Sequence, residues 1–426
     1  MTTSRRATDG SDAPEARSDA RDGARNSSRR RFLGWLGAAG VGAAAGVAGV
    51  GIADRGSPSA EAASATDDVV PFYGPHQAGI TTPRQTHLLF ASLDLNDRSR
   101  STLGSLFQFW TGAAVRMTRG ERVTLPGDPE AVGDTGEAAG LGPSRLTVTF
   151  GVGPSLFDKL GLSRPAGLVD LPAFATDRLD PAASGGDLCI QACADDEQVA
   201  VHAVRELLRL GHPAVAVRWA QAGFLPIDPR GATPRNLMGF KDGTANIELA
   251  DADALDRFVW VGSEGPAWLR GGTILVARRI HVRIARWDAS ELSEQERVIG
   301  RRKSSGAPLS GGTEFDPLDL RATGSNGKPM IGRRAHVRLA APDSNDGVRI
   351  LRRPYSFVDG IGGEGNLSAG LFFLAYQRDP RTGFIPVQRR LASSDALNEY
   401  LRHTGSAVFA MFRGVRPGRA IGDGLL

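Results

Sequence analysis

The chain has 426 residues, 41% hydrophobic and 23% charged, which is ordinary for a folded globular protein and long enough for two or three domains. Of its 51 basic and 47 acidic residues, nine Arg and seven Asp or Glu fall within residues 1–65, leaving 42 against 40 in the remainder. A body so close to neutral lacks the concentrated basic face that a nucleic-acid partner requires.

The N-terminus reads as an address. Residues 1–31 are polar and rich in Arg, Asp, Ser and Ala, a composition that does not support a core. "SRRRFL" (28–33) follows, then the weakly apolar run "GWLGAAGVGAAAGVAGVGI" and an A-x-A pattern at 63–65. The arrangement resembles a twin-arginine signal, with Arg29 and Arg30 as the pair and Phe32 and Leu33 behind it. The alternative is a single-pass anchor. The signal implies the twin-arginine translocase as a partner and a destination in the periplasm, cell envelope or medium. That route carries folded proteins, commonly with a cofactor already loaded, so the address itself hints at a prosthetic group.

After a linker (66–83), "RQTHLLFASLDL" (84–95) reads as a strand and "SRSTLGSLFQFWTGAA" (99–114) as a helix. Residues 118–143 are rich in Gly, Pro and acid and read as a loop. "RLTVTFGVG" (145–153) alternates as a strand, "PSLFDKLGL" is a short helix, and "DLCIQACAD" is a strand. An amphipathic helix (196–211) and a strand (214–224) complete a first series. On a strand, Cys189 and Cys193 stand roughly 13 Å apart, too far to form a disulfide with each other. They read as two buried thiols, with neither a CxxC pair nor zinc spacing in the chain.

The second series opens with "GFKDGTANI" (239–247). "GGTILVARRIHVRIARWD" (271–288) is strand-like, and "SELSEQERVIGRRKSS" (290–305) is helical. "RRAHVRLAAP" (333–342), "RILRRPYSF" (349–357) and "GLFFLAYQRD" (370–379) follow. "SDALNEYLRHTG" reads as a helix and "SAVFAMF" as a closing strand. The two series suggest two α+β halves of related architecture, 84–240 and 241–426, each a helix-covered antiparallel sheet. Neither carries a P-loop, so phosphate-loop nucleotide chemistry finds no support.

A metal-ligand search leaves two histidines in near-duplicate contexts, His281 in "RRIHVRIA" and His336 in "RRAHVRLA". Composition does not choose between them.

The motifs "LTVTFGVG", "LFDKLGL", "GFKDGTAN", "AHVRLAAP", "ILRRPYSF" and "GLFFLAYQRDP", in that order across about 84–415, resemble the dye-decolourising peroxidase family. With the export signal, the similarity is to the branch often described as deferrochelatase/peroxidase. The resemblance implies two ferredoxin-like halves, with haem b bound in the C-terminal half, one per subunit. It implies His336 as the proximal iron ligand, with His281 outside the ligand position. It implies Asp242 and Arg352 as the distal catalytic pair, Arg352 also touching the cofactor. Further haem contacts fall at Gly243, Thr244 and Ala245, and at Ala341, Pro342 and Asp343. The implied reaction is reduction of hydrogen peroxide with oxidation of an organic donor such as a dye or phenol. The alternatives are a deferrochelatase that takes haem as substrate and releases its iron for uptake, and a non-enzymatic haem carrier. A homodimer and an iron-uptake permease remain open as partners.

The chemistry fits these residue types. An imidazole holds the iron, a carboxylate moves a proton between the two peroxide oxygens, and a guanidinium stabilises the developing charge. Bulky donors that cannot reach a buried haem require relay through surface aromatics, for which Tyr376, Trp260, Trp268 and Tyr400 are candidates. Taken singly, each reads more readily as a core or interface aromatic.

Overall fold

The computed structural model describes residues 68–123, 133–228, 231–362 and 365–426. The signal region expected at 1–65 lies outside them. Among the described residues, no helix is long and apolar enough to cross a membrane.

The first series is β1 (His87–Leu95), α1 (Arg100–Met117), β2 (Thr147–Val152), α2 (Pro154–Leu160), β3 (Leu188–Ala194), α3 (Glu197–Gly211) and β4 (Val215–Phe224). Local signals account for the helix ends. Ser99 and Asp196 cap α1 and α3, their side-chain oxygens accepting from the backbone amides of Thr102 and Val199. Pro154 opens α2, and Gly161 closes it in the left-handed conformation. The strands pair antiparallel in the order β4-β1-β3-β2. β2 and β3 are buried along their whole length, because α1 and α3 cover one face and a second sheet covers the other.

The second series is α4 (Ala252–Phe258), β5 (Thr273–Val282), α5 (Ile284–Asp288), α6 (Leu292–Ile299), α7 (His336–Ala340), β6 (Leu351–Arg352), β7 (Tyr355–Ile361), β8 (Leu367–Gln377), α8 (Phe384–Ser394) and β9 (Leu401–Met411). Its strands run β9-β5-β8-β7, with β6 also on β8. This is the strand order of the first sheet repeated, so each half is ferredoxin-like. Short seams join the sheets at both edges, β2 to β9 and β4 to β7. Phe90, Cys189, Tyr355, Phe372, Tyr376 and Phe409 belong to one core cluster with both sheets represented. Cys189 and Cys193 are free, buried thiols there, as expected.

Several elements differ from the sequence reading, among them the unanticipated helix Ala252–Phe258. The strand expected over 271–288 ends at Val282, and Ile284–Asp288 turns into a short helix that buries Trp287. The helix expected over 290–305 covers only Leu292–Ile299, because Gly300 (φ +95°) ends it. Any side chain on Gly300 would meet Val337 Cγ2 at 2.6 Å, so the glycine also sets how closely α7 approaches. Residues 384–394 form an unanticipated helix, with Pro386 tolerated in its first turn. "SDALNEYLRHTG" is a 3-10 turn over Ala396–Glu399 and then strand, because Leu401–Met411 finds pairing partners on β5.

Candidate functional site

The "GFKDGTANI" segment is a tight double reversal. The amide of Gly239 donates to Asn236 O, Asn236 N to Phe240 O, Asp242 N to Pro234 O, and Asn246 N to Gly243 O. Gly239 and Gly243 have φ of +83° and +138°, which explains the glycines on either side of Asp242. The Asp242 carboxylate accepts from Arg352 Nη1 at 2.8 Å and from Asn236 Nδ2 at 3.3 Å. Burial depresses the pKa of the Arg84 guanidinium and the Asp242 charge opposes that shift, so a second cation also stands near the carboxylate.

Arg352 sits on the two-residue strand β6, whose brevity leaves its backbone in need of a clamp. Asn246 provides it. Its Oδ1 accepts from Arg352 N at 2.8 Å, and its Nδ2 donates to Arg352 O at 2.8 Å. The sequence reading missed Asn246, although it quoted the motif containing it. The available signal is an amide side chain four residues after the aspartate.

His336 opens α7. Its Nδ1 lies 2.6 Å from Asp395 Oδ2. A carboxylate only accepts, so Nδ1 carries a proton, and in the neutral imidazole it is Nε2 that has the free lone pair. Burial works to lower the imidazole's pKa, but the charge of Asp395 and this hydrogen bond raise it above the ordinary value. Asp395 is itself buried and caps the 3-10 turn, its Oδ1 accepting from Leu397 N at 2.8 Å. One carboxylate thus holds both a backbone amide and the imidazole. Asp395 was also missed. Its signal is a capping aspartate with one oxygen to spare.

These groups line one cavity of about 520 Å³. His336, Asp242 and Arg352 are on its wall, and so are Gly243, Thr244, Ala245, Ala341, Pro342 and Asp343. Every site residue expected from the sequence is therefore brought to the same space. The strand geometry separates the two duplicate histidines. Arg278, Ile280 and Val282 line the cavity, and alternation turns His281 to the other side of β5. His281 is not part of the wall.

The four aromatics offered as surface relays are not at the surface. Tyr376, Trp260, Trp268 and Tyr400 are all buried. The Tyr376 hydroxyl donates to Gln191, and Trp260 stacks on His76 with ring centroids 3.8 Å apart. Packing of large apolar side chains between layers outweighs any exposure at these positions.

His403 on β9 also lines the cavity. Burial pushes its imidazole down to about 4, the Arg278 charge acting in the same direction and Asp177 against it. Between pH 6.5 and 4 the unfolded chain binds this proton and the folded chain does not. Stability therefore falls as pH falls through that window. His403→Asn is expected to shrink that loss by on the order of 2 kcal/mol, read as the pH dependence of thermal unfolding in ligand-free protein. An unchanged slope between pH 6.5 and 4 counts against the assignment.

Comparison with known proteins gives concordant matches. Residues 77–225 match the family model described as Dyp-type peroxidase, N-terminal, and residues 233–416 match Dyp-type peroxidase, C-terminal. The dye-decolorizing peroxidase of Thermobifida fusca is 41% identical, covering 94% of this chain and 98% of that protein. The deferrochelatase of Escherichia coli K12 is 35% identical over 93% of this chain and 96% of its own length. Among solved structures, an oxyferrous/water mixed complex of DtpA from Streptomyces lividans is 41% identical with a TM-score of 0.78, covering 85% of this chain and 99% of that one. Matched along both halves by the family models and nearly end to end by its relatives, the chain belongs to the Dyp-type peroxidase family.

Proposed function

We propose that the cavity would hold haem b, with His336 the residue that would bind its iron, and that the protein reduces hydrogen peroxide at the expense of an organic donor. The observation that carries this reading is the Asp242–Arg352 ion pair on the wall of the same cavity as an imidazole whose Nε2 is left free by Asp395. The wall suits the group. Ile280, Val282, Leu371, Phe373 and Val387 offer apolar surface to a macrocycle, and Arg301 and Arg349 offer cations to its carboxylate tails. The volume lies within the usual range for a bound cofactor, roughly 300–1,000 Å³. The oxyferrous complex of the Streptomyces lividans relative is consistent with iron in this fold.

When bound, haem supplies the iron redox centre at which peroxide is reduced. The chain's own residues manage the protons and the charge. Asp242 takes the proton from the near oxygen of peroxide and delivers it to the far oxygen, so that water is the leaving group. Arg352 opposes the negative charge that builds on the departing oxygen. Asn246 holds the Arg352 backbone, and through it the guanidinium, at hydrogen-bonding distance from Asp242. Asp395 fixes the tautomer and ring plane of His336. A haem carrier has no use for a proton shuttle paired with a guanidinium.

The test is the absorption spectrum of the purified protein before and after peroxide, together with peroxide-dependent oxidation of a simple phenol. Absence of both overturns the reading. The second reading, removal of iron from haem with the porphyrin intact, is favoured by the Escherichia coli relative's name. Anaerobic incubation with haem separates the two: release of free protoporphyrin supports iron removal, and unchanged haem rejects it.

The export reading rests on Arg29 and Arg30, the weak apolar run and the A-x-A pattern. Replacing both arginines with Lys is expected to retain the protein in the cytoplasm, as followed by fractionation. Normal export of the double variant removes the twin-arginine assignment.

A further inference from the structure

Away from the cavity around His336, the described residues bring together a group of side chains with metal-ligand chemistry: Asp134, His202 and Glu206. His202 and Glu206 stand four residues apart on α3 and so share one face of the helix. Asp134 comes from the loop between α1 and β2, which forms no helix or strand of its own over 133–143. None of the three lines the first cavity. No cysteine takes part, which is why cysteine spacing gives no hint of the group.

The separations are those of ligands around an ion rather than of a closed hydrogen-bond network. The His202 side chain is 8% exposed and has a carboxylate facing each ring nitrogen. Nε2 lies 3.6 Å from Asp134 Oδ2, while Nδ1 lies 3.4 Å from Glu137 Oε1 and 3.5 Å from the Thr135 hydroxyl. A good N–H···O bond needs about 2.7–3.2 Å. Two ligands about 2.0–2.1 Å from one tetrahedral ion stand about 3.4 Å apart, close to the Nε2–Oδ2 separation. The three ligand atoms lie within 4.8 Å of one another, so an ion draws the set in by roughly an ångström. The carboxylates are already oriented. Asp134 accepts from the amides of Val123 and Gly136, each at 2.8 Å. Glu206, fully buried, accepts from Thr135 N at 2.6 Å and from Arg209 Nη2 at 2.7 Å. A carboxylate oxygen with one such donor keeps a second lone pair. Among the described residues Asp134 has no lysine or arginine at ion-pair distance, and Arg122 acts on it only from further away. Both Glu137 carboxylate oxygens are buried without a hydrogen bond, Arg205 Nη1 standing 3.2 Å from Oε2.

We propose that Asp134, His202 and Glu206 form a binding site for one divalent first-row transition ion, of which zinc is the best match. An imidazole nitrogen set among carboxylate oxygens suits such ions, whereas calcium and magnesium take oxygen ligands. Nε2 of His202 is the nitrogen ligand, and Glu137 stands behind Nδ1 as the carboxylate that sets the ring's tautomer and orientation. The ion ties a loop without secondary structure of its own to the helix that covers the first sheet. Its effect is on stability, and it is independent of the peroxidase reading.

The experiment uses untagged, haem-loaded protein, in which His336 is already engaged, stripped of loosely held metal with a chelator. Zinc is titrated by calorimetry into wild type, His202→Gln, Asp134→Asn, Glu137→Gln and, as the control, His281→Ala. One zinc per chain is expected in wild type and in the control. Affinity is expected to fall by about 100-fold or more in His202→Gln and Asp134→Asn, and by about 10- to 100-fold in Glu137→Gln. The melting temperature of wild type is expected to climb with zinc concentration, and that of Asp134→Asn to stay level. The Soret spectrum and the rate of reaction with peroxide are expected to be the same in the Asp134, Glu137 and His202 variants as in wild type. Zinc-edge X-ray absorption of the loaded wild type is expected to show one imidazole among oxygen ligands at about 2.0–2.1 Å. Asp134→Asn conserves volume and keeps the test decisive where His202→Gln does not fold. No saturable zinc binding to wild type, or equal affinity in wild type and Asp134→Asn, overturns the site and leaves His202 joined to its carboxylates by a proton alone. Calcium binding as tight as zinc, or a zinc shell without nitrogen, overturns the assignment of His202 as a ligand.

Discussion

His336→Ala is expected to yield a folded protein that does not retain haem. The side chain is half-buried on the cavity wall, and its replacement removes no core contact comparable to those of the sheet clusters. What it removes is the single imidazole on this wall whose Nδ1 is held by a carboxylate. Alanine offers no donor in its place, so the loss is that of a metal bond rather than of a packing contact. The variant also leaves Asp395 buried with one oxygen abandoned, which costs stability on the order of 1–3 kcal/mol. Asp395→Asn separates the two effects. It keeps the volume and a hydrogen-bonding group but removes the charge, so haem is expected to be retained with an altered iron spectrum. His281→Ala is the control, because His281 faces away from the cavity and burial with Arg279 and Arg402 nearby already depresses its basicity. Haem content and the Soret spectrum of the purified variants check all three. Loss of haem in His281→Ala with retention in His336→Ala would assign the ligand to the other histidine.

Asp242→Asn and Arg352→Leu are expected to bind haem normally and react slowly with peroxide. The Asn variant keeps the turn, because the backbone bonds of Asp242 and the two positive-φ glycines are untouched. It still accepts from Arg352 but no longer takes a proton, and the rate of the first reaction with peroxide is expected to fall by about 10²–10⁴. Arg352→Leu removes the charge at 2.8 Å from the carboxylate and the donor that meets the departing oxygen. Electrostatic stabilisation is commonly the larger contribution, so its loss is expected to be at least as severe. Stopped-flow mixing with peroxide measures both, with haem content as the control. Wild-type rates in both variants would reduce "GFKDGT" to a structural turn.

Much of the architecture was legible because its determinants are local. Strand-like apolar runs marked β1 to β4 and helical spacing marked α1 and α3, whose starts the structure shows capped by Ser99 and Asp196. Where local preference and sheet pairing disagreed, pairing prevailed. "EYLRHTG" has helical spacing, yet Leu401–Met411 lies on β5 because an unpaired strand edge there is worse than an unfavoured backbone. Helix 384–394 was overlooked because its proline lies in the first turn, where it breaks nothing.

The sequence by itself determined the family resemblance, the residue types of the site and a choice of two histidines for one role. It did not determine partners that are far apart along the chain. Asp395 meets His336 across 59 residues and Asn246 clamps Arg352 across 106, and neither pairing leaves a periodic trace in the residues between. The placement of His281 outside the cavity follows from the side-chain alternation of β5, whose register is set by β8 and β9 on either side. The burial of Tyr376, Trp260, Trp268 and Tyr400 is likewise a property of the packed layers, since an aromatic side chain is apolar enough for a core and polar enough for a surface until its neighbours are known.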